Sequence, residues 1–218
     1  MSGPLEHAPA SATLESLPPA FYERPVLQVA RDLVGCGFFF CGVGGRIVET
    51  EAYAPDDPCC HGYRGRTQRN SVIFGAPGRL YVYFTYGMHF CANLVCEAEG
   101  RAAAVLLRAL EPVEGLERMA ERRGQADVRS LCSGPAKLTQ ALAIGRAENG
   151  LPSWVDPLRV TPRPGTIADA AGWGAAPPRI LATARIGVGG DTKPWRFIDA
   201  DSPYLSRPLP RSARSPKV

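Results

Sequence analysis

The chain has 218 residues, 45% of them hydrophobic, with a formal net charge of +4 and seven cysteines. That length suits one domain with tails and a sizeable core. No apolar run approaches the roughly 20 residues that span a bilayer, and the N-terminus lacks the basic-then-apolar order of a secretory signal, so no membrane partner is expected. An odd cysteine count without an export signal speaks against a disulfide framework and for reduced thiols in a cytoplasmic setting. The mild positive charge is compatible with nucleic acid. It is carried almost wholly by arginine, since Lys137, Lys193 and Lys217 are the only lysines. Such an excess suits phosphate contacts and equally follows from codon bias.

Residues 1–19 are rich in Ala, Ser, Pro and Glu without periodicity, and read as a flexible tail. Pro25 suits a first helical turn, with Val26, Ala30, Leu33 and Val34 on one face and Gly35 as the stop. Cys36 to Phe40 reads as a strand, and Gly42 to Gly45 turn the chain into a second, Ile47-Val48-Glu49-Thr50-Glu51-Ala52-Tyr53. On a regular strand Ile47, Glu49, Glu51 and Tyr53 share one face, and Val48, Thr50 and Ala52 the other. Acids beside a tyrosine suggest a pocket wall; the competing reading is an edge strand whose acids face water. Pro55 to Asn70 lacks periodicity and reads as a loop across the pocket mouth, carrying Cys59, Cys60, His61, Arg64, Arg66 and Arg69. Adjacent cysteines before a histidine do not have the usual zinc-ligand spacing, so no metal and no other cofactor is expected.

Leu80 to Thr85 and Phe90 to Val95 alternate with period two around Tyr86-Gly87-Met88-His89, the pattern of a β-hairpin. Tyr81, Tyr83 and Thr85 take one face. The exposed aromatic and methionine at the tip either pack back on the core or form a wedge that enters a base stack. Ala102 to Leu110 is an apolar strand interrupted by Arg108. A guanidinium there needs a partner if buried, and Glu51 is a candidate; the other reading is an exposed strand face. Pro112 to Arg123 reads as a helix. Ser133-Gly134-Pro135 starts another, whose free backbone N–H groups suit either a phosphate or an ordinary cap. Asn149 to Pro178 reads as a long surface loop with Trp154 and Trp173. Ile180 to Val188 and Trp195 to Ile198 read as closing strands, and residues 207–218 as a disordered tail. Without β-α-β alternation, the expected fold is α+β: one domain over 20–206, mostly antiparallel, with surrounding helices and a protruding hairpin.

Several of these blocks, in this order, resemble the alkyladenine (3-methyladenine) DNA glycosylase family. They are Ile47 to Tyr53, His61, Arg69-Asn70, Leu80 to Asn93, Ala104 to Pro112 and Leu131 to Leu138, and the resemblance runs from about Phe21 to about Ser206. It implies a monofunctional enzyme acting on double-stranded DNA that holds a damaged purine, as a monomer, in the cytoplasm and beside the nucleoid if the source is bacterial. By the same resemblance Glu51 is the general base that activates water, and Arg108 keeps that carboxylate charged and helps place the water. Tyr53, His61 and Tyr83 stack on the flipped base, Asn93 excludes normal guanine, and Tyr86 intercalates. Two departures from relatives are Gln68, where proline is common, and His89, where some carry tyrosine.

Two other classes compete. A non-catalytic nucleic-acid-binding module of the same fold needs basic and aromatic residues but no carboxylate paired with an arginine. A metal hydrolase would draw on Cys59, Cys60 and His61.

Overall fold

The computed structural model describes residues 15–85, 87–163 and 177–209. Helices α1 (Pro19–Tyr22) and α2 (Val26–Leu33) lead into strands β1 (Gly37–Phe40) and β2 (Val43–Tyr53), and a 3-10 turn (Ser71–Phe74) precedes β3 (Leu80–Thr85), β4 (His89–Val95) and β5 (Ala104–Glu114). Helices α3 (Leu116–Arg123), α4 (Val128–Leu131) and α5 (Pro135–Leu142) follow, then β6 (Trp154–Val155), β7 (Leu158–Thr161), β8 (Ile180–Thr183) and β9 (Arg196–Asp199). The strands form one antiparallel sheet in the order β3-β4-β5-β2-β1-β7-β6, with β9 joining β2 to β8. This is the expected α+β class.

One face of the sheet carries the helices. Val26, Val29, Ala30 and Leu33 of α2, and Leu138, Ala141 and Leu142 of α5, are buried in the same core as Leu80, Leu94, Val105 and Leu107. Burial of each such side chain contributes about 1.5–3 kcal/mol. The other face carries a smaller cluster of Cys60, Ile73, Tyr81, Val95, Ala102 and Ala104, against which Tyr53 and Tyr83 pack.

The sheet divides at β2. Its first half pairs with β1, and Glu49 to Glu51 pair instead with β9, while β5 runs along the opposite edge. The acids therefore lie on an interior strand, and Glu49, Thr50 and Glu51 are fully buried. The pairing of β2 with β5 is irregular at two neighbouring points. Ile47 faces Leu110 and Glu49 faces Ala109, which leaves Val48 over; Thr50 then faces Leu107, which leaves Arg108 over. Each is an extra residue in one strand, a bulge that re-aims side chains. The bulge at Val48 corrects the expectation of a regular face: Ile47 joins the helix-side core with Ala52, while Glu49 and Glu51 both meet Arg108.

Other expectations also change. Gly44 and Gly45 lie inside β2 rather than in a turn. A Cβ on Gly45 would stand 1.9 Å from the Glu111 carbonyl oxygen and one on Gly44 2.2 Å from that of Phe38, so these glycines permit close strand approach. Pro112 to Glu114 extend β5, with Pro112 opposite Gly45, and Gly115 at φ 73° turns the chain into α3. Within the stretch expected to be a loop, β7 pairs with β1 and buries Leu158 and Val160, because these two residues complete the edge of the core. Residues 164–176, with Trp173, lie outside the described residues. Near the two ends of the described residues, Leu17 is buried and donates its N–H to the Val160 carbonyl, and Leu209 is buried beside Ile198. Residues 1–14 and 210–218 lie outside the described residues. No helix among the described residues is long and apolar enough to cross a membrane.

Candidate active site

The hairpin of β3 and β4 places the first wall. Period-two alternation sends Leu80 and Val82 to the helix-side core and turns Tyr81, Tyr83 and Thr85 to the other face, where Cys91 and Asn93 of β4 join them. These residues border a cavity of about 370 Å³, also lined by Tyr53, His61, Leu106 and Arg108, by Pro135 and Ala136 at the start of α5, and by Ile186 to Val188. That volume sits at the lower end of small-ligand clefts, roughly 300–1,000 Å³.

The loop after β2 brings His61 to this cavity. Asn70, itself buried, holds the loop by donating to the His61 and Gly65 carbonyls and accepting the Thr67 N–H at 2.6 Å. His61 Nδ1 lies 3.1 Å from the Tyr81 hydroxyl, and its ring centroid is 4.1 Å from that of Tyr83. Burial, then the nearby Arg69 charge, lower the His61 pKa below its usual 6.5, so the ring is neutral at neutral pH. Burial pushes the Tyr81 phenol up to about 12 and raises those of Tyr53 and Tyr83 as well. All three hydroxyls stay protonated. The neighbouring Cys60 thiol is turned away to the Ala102 carbonyl. Among the described residues, no three His, Cys, Asp or Glu side chains converge to hold a metal ion.

Behind Tyr53 and Arg108 lies a buried ionic group. Glu51 Oε2 accepts from Arg108 Nη1 at 3.2 Å and from the Tyr53 hydroxyl at 3.0 Å, and Oε1 accepts the Ile186 N–H at 2.7 Å. Arg108 Nε donates to Glu49 Oε1 at 2.8 Å, an atom that also accepts Arg196 Nε at 2.7 Å. Burial alone would raise the Glu49 pKa, but the two guanidiniums outweigh it and hold the carboxyl below its usual range. Glu49 is thereby saturated with donors, whereas Glu51 stands next to the cavity wall.

A third buried arginine braces this wall. Arg185 donates to the Ala52 carbonyl, to Asp57 and to Asp191, and its guanidinium lies over the rings of Tyr53 at 4.6 Å and Trp195 at 5.2 Å. Burial opposes its charge, but the two aspartates prevail and raise its pKa. It fixes Tyr53 and the start of the segment that carries Ile186.

Of the residues singled out in the sequence, Tyr53, His61, Tyr83, Asn93 and Arg108 meet at this cavity and Glu51 lies directly behind it. Asn93 is buried and donates to the Tyr81 carbonyl at 3.0 Å. Tyr86 lies outside the described residues; beside it Gly87 takes φ 66° and Met88 is 70% exposed. Sequence reasoning missed the roles of Glu49, Arg196, Arg185 and Ser206. Arg196 had a signal, a lone arginine in an apolar strand, the same feature that marked Arg108. Ser206 had none.

Fold and cavity together set a buried carboxylate and arginine against a cavity lined by aromatic side chains. Residues 20–203 match the family model described as methylpurine-DNA glycosylase, and the chain belongs to that family. It is 50% identical over 195 residues to a Rhodopseudomonas palustris protein named "Putative 3-methyladenine DNA glycosylase", covering 88% of each chain. Proteins of the same name are 47% identical in Bradyrhizobium diazoefficiens, over 88% of this chain and 91% of the relative, and 46% identical in Carboxydothermus hydrogenoformans, over 88% and 98%.

Proposed function

We propose that this chain is a monofunctional DNA glycosylase that turns a damaged purine out of duplex DNA and hydrolyses its N-glycosidic bond, leaving an abasic site. The observation that carries this reading is the fully buried Glu51, held by Arg108, Tyr53 and the Ile186 N–H directly behind an aromatic cavity. That ion pair costs several kcal/mol to desolvate, and nucleic-acid binding alone does not require it.

In this mechanism the flipped base stacks among Tyr53, His61 and Tyr83. The neutral His61 ring adds no positive charge, so a cationic alkylated purine meets π-faces rather than repulsion. The C1′–N bond breaks with its electron pair going to the base, and the alkylated base leaves as a neutral molecule. A water seated where Arg108 and Ile186 meet the cavity attacks C1′ of the oxocarbenium-like sugar and gives its proton to Glu51, as in inverting glycoside hydrolysis. Arg108 restrains the carboxylate. Tyr86, which follows β3 in the sequence, fills the gap left in the stack. Asn93 checks the edge at which guanine carries its amino group.

Duplexes carrying one defined lesion each test the reading. Incubation followed by hot alkali should break the strand at a methylated purine, and omission of alkali should leave it whole. Intact strands after alkali for every lesion, with DNA still bound, would favour the binding module. Breakage without alkali would reveal a lyase instead.

A further inference from the structure

The Arg108 guanidinium has three nitrogens with three different partners: Nε meets Glu49 Oε1 at 2.8 Å, Nη1 meets Glu51 Oε2 at 3.2 Å and Nη2 meets Ser206 Oγ at 3.2 Å. Ser206 also donates its hydroxyl to Glu49 Oε1 and its N–H to Glu49 Oε2, both at 2.7 Å. Its single hydroxyl proton is thus committed to Glu49, and its lone pair is left to receive Arg108. We propose that Ser206 is a positioning residue, which together with Glu49 holds the Arg108 cation in line with Glu51.

Arg108 needs such a holder. It is the unpaired residue of a bulge in β5, so the strand ladder does not fix its backbone as it fixes its neighbours. Its contact with Glu49 is the shorter of its two ion pairs, and Glu49 is anchored independently by Arg196. Left to these two carboxylates, the guanidinium can pivot toward Glu49 and draw away from Glu51. A third bond at Nη2 blocks the pivot, because a planar fork held at all three nitrogens has no free rotation. Ser206 is itself held in place by its Glu49 bonds and by the next residue, whose carbonyl accepts from Arg196 Nη2 at 3.4 Å.

The catalytic part of this inference rests on the glycosylase reading; the clamp itself does not. Ser206→Ala deletes the hydroxyl and keeps the backbone bond to Glu49, and Ser206→Thr restores the hydroxyl. The test pairs two measurements on the full chain. Nitrogen-15 spectra of arginine-labelled protein, with the Arg108 signals assigned by their loss in Arg108→Gln, report whether the guanidinium rotates. Single-turnover excision of a methylated purine, with affinity for the lesion duplex, reports the catalytic effect. We expect resolved, slowly exchanging Nη signals in wild type and Ser206→Thr and averaged signals in Ser206→Ala. We also expect excision by Ser206→Ala to fall by about ten- to a hundredfold, with affinity unchanged. Restricted Nη signals in folded Ser206→Ala overturn the clamp. Averaged signals with a wild-type excision rate overturn the positioning role and leave the glycosylase reading intact. A wild type that excises nothing removes the glycosylase reading, while the spectra still decide the clamp. Should Ser206→Ala not fold, restricted signals in wild type with an unimpaired Ser206→Thr still support the clamp, and averaged signals in wild type overturn it.

Discussion

Glu51→Gln separates the chemistry from the binding. The side chain keeps its shape, but its amide group has no comfortable orientation. One rotamer sets its NH2 against the Ile186 N–H, 2.7 Å away in the native contact; the other sets it against the Tyr53 hydroxyl and Arg108 Nη1. Either way donors oppose donors, and a charge-assisted bond of about 1.5–3 kcal/mol is lost. Arg108 retains Glu49, so the loss should fall short of the roughly 3–5 kcal/mol of a buried charge left wholly unpaired. With about 2–4 °C of melting temperature per kcal/mol at this size, the variant should melt about 3–12 °C lower and remain folded at 25 °C. Removing a general base should slow single-turnover excision by about a hundred- to ten-thousandfold. Calorimetry and a quench-flow or manual time course on a duplex with one methylated purine give both quantities, and abasic-site DNA serves as the binding control. Excision within about threefold of wild type would refute the role of Glu51 as base.

Asn93→Ser should begin to release guanine from mismatched DNA while still excising methylated purines; a general loss of activity and stability, with guanine still refused, would make Asn93 a purely structural residue. Tyr86→Ser should lower the flipped population by about 1–3 kcal/mol of equilibrium, read from a fluorescent base beside the lesion, and an unchanged signal would exclude the wedge. A depressed His61 pKa means that the unfolded chain takes up a proton first as pH falls below 6.5. Stability should therefore rise with pH up to about 6.5 and then level off. His61→Gln should remove that step from the melting profile, and a profile unchanged by the substitution would contradict it. Arg185→Lys cannot serve Asp57, Asp191 and the Tyr53 ring together, and should cost about 3–5 kcal/mol in denaturant unfolding; a wild-type midpoint would show that Arg185 does not brace the wall.

The sequence showed the parts whose geometry is periodic. Alternation in Leu80 to Val95 was enough to tell which side chains of the hairpin share a face, because a two-residue period leaves little freedom. An arginine amid Ala and Leu implied a buried partner, and Arg108 has two. What stayed hidden depends on breaks in period or on distance along the chain. The extra residue at Val48 turns Ile47 away from the face of Glu49, and no residue type there announces it. β7 was hidden by the Pro- and Gly-rich sequence around it, since a short strand paired with β1 tolerates flanks that look like loop. Glu49 was visible as an acid on the right strand, but only the folded arrangement distinguishes a carboxylate saturated by Arg108, Arg196 and Ser206 from one that stands next to the cavity wall. Ser206, 98 positions from Arg108, belongs to no repeat or motif.

The division of the sheet at β2 bears on when this molecule becomes competent during its synthesis. Glu49 leaves the ribosome 147 residues ahead of Arg196 and 157 ahead of Ser206. Until those late residues arrive, the carboxylates of β2 face Arg108 with one edge of their strand unpaired. A nascent chain can thus build its hairpin and helices long before it completes the ion pairs behind the cavity. Contacts that distant in sequence close slowly. The consequence is a built-in delay: a chain truncated before β9 keeps Glu49, Glu51 and Arg108 but lacks Arg196 and Ser206, the residues that anchor Glu49 and the Arg108 guanidinium.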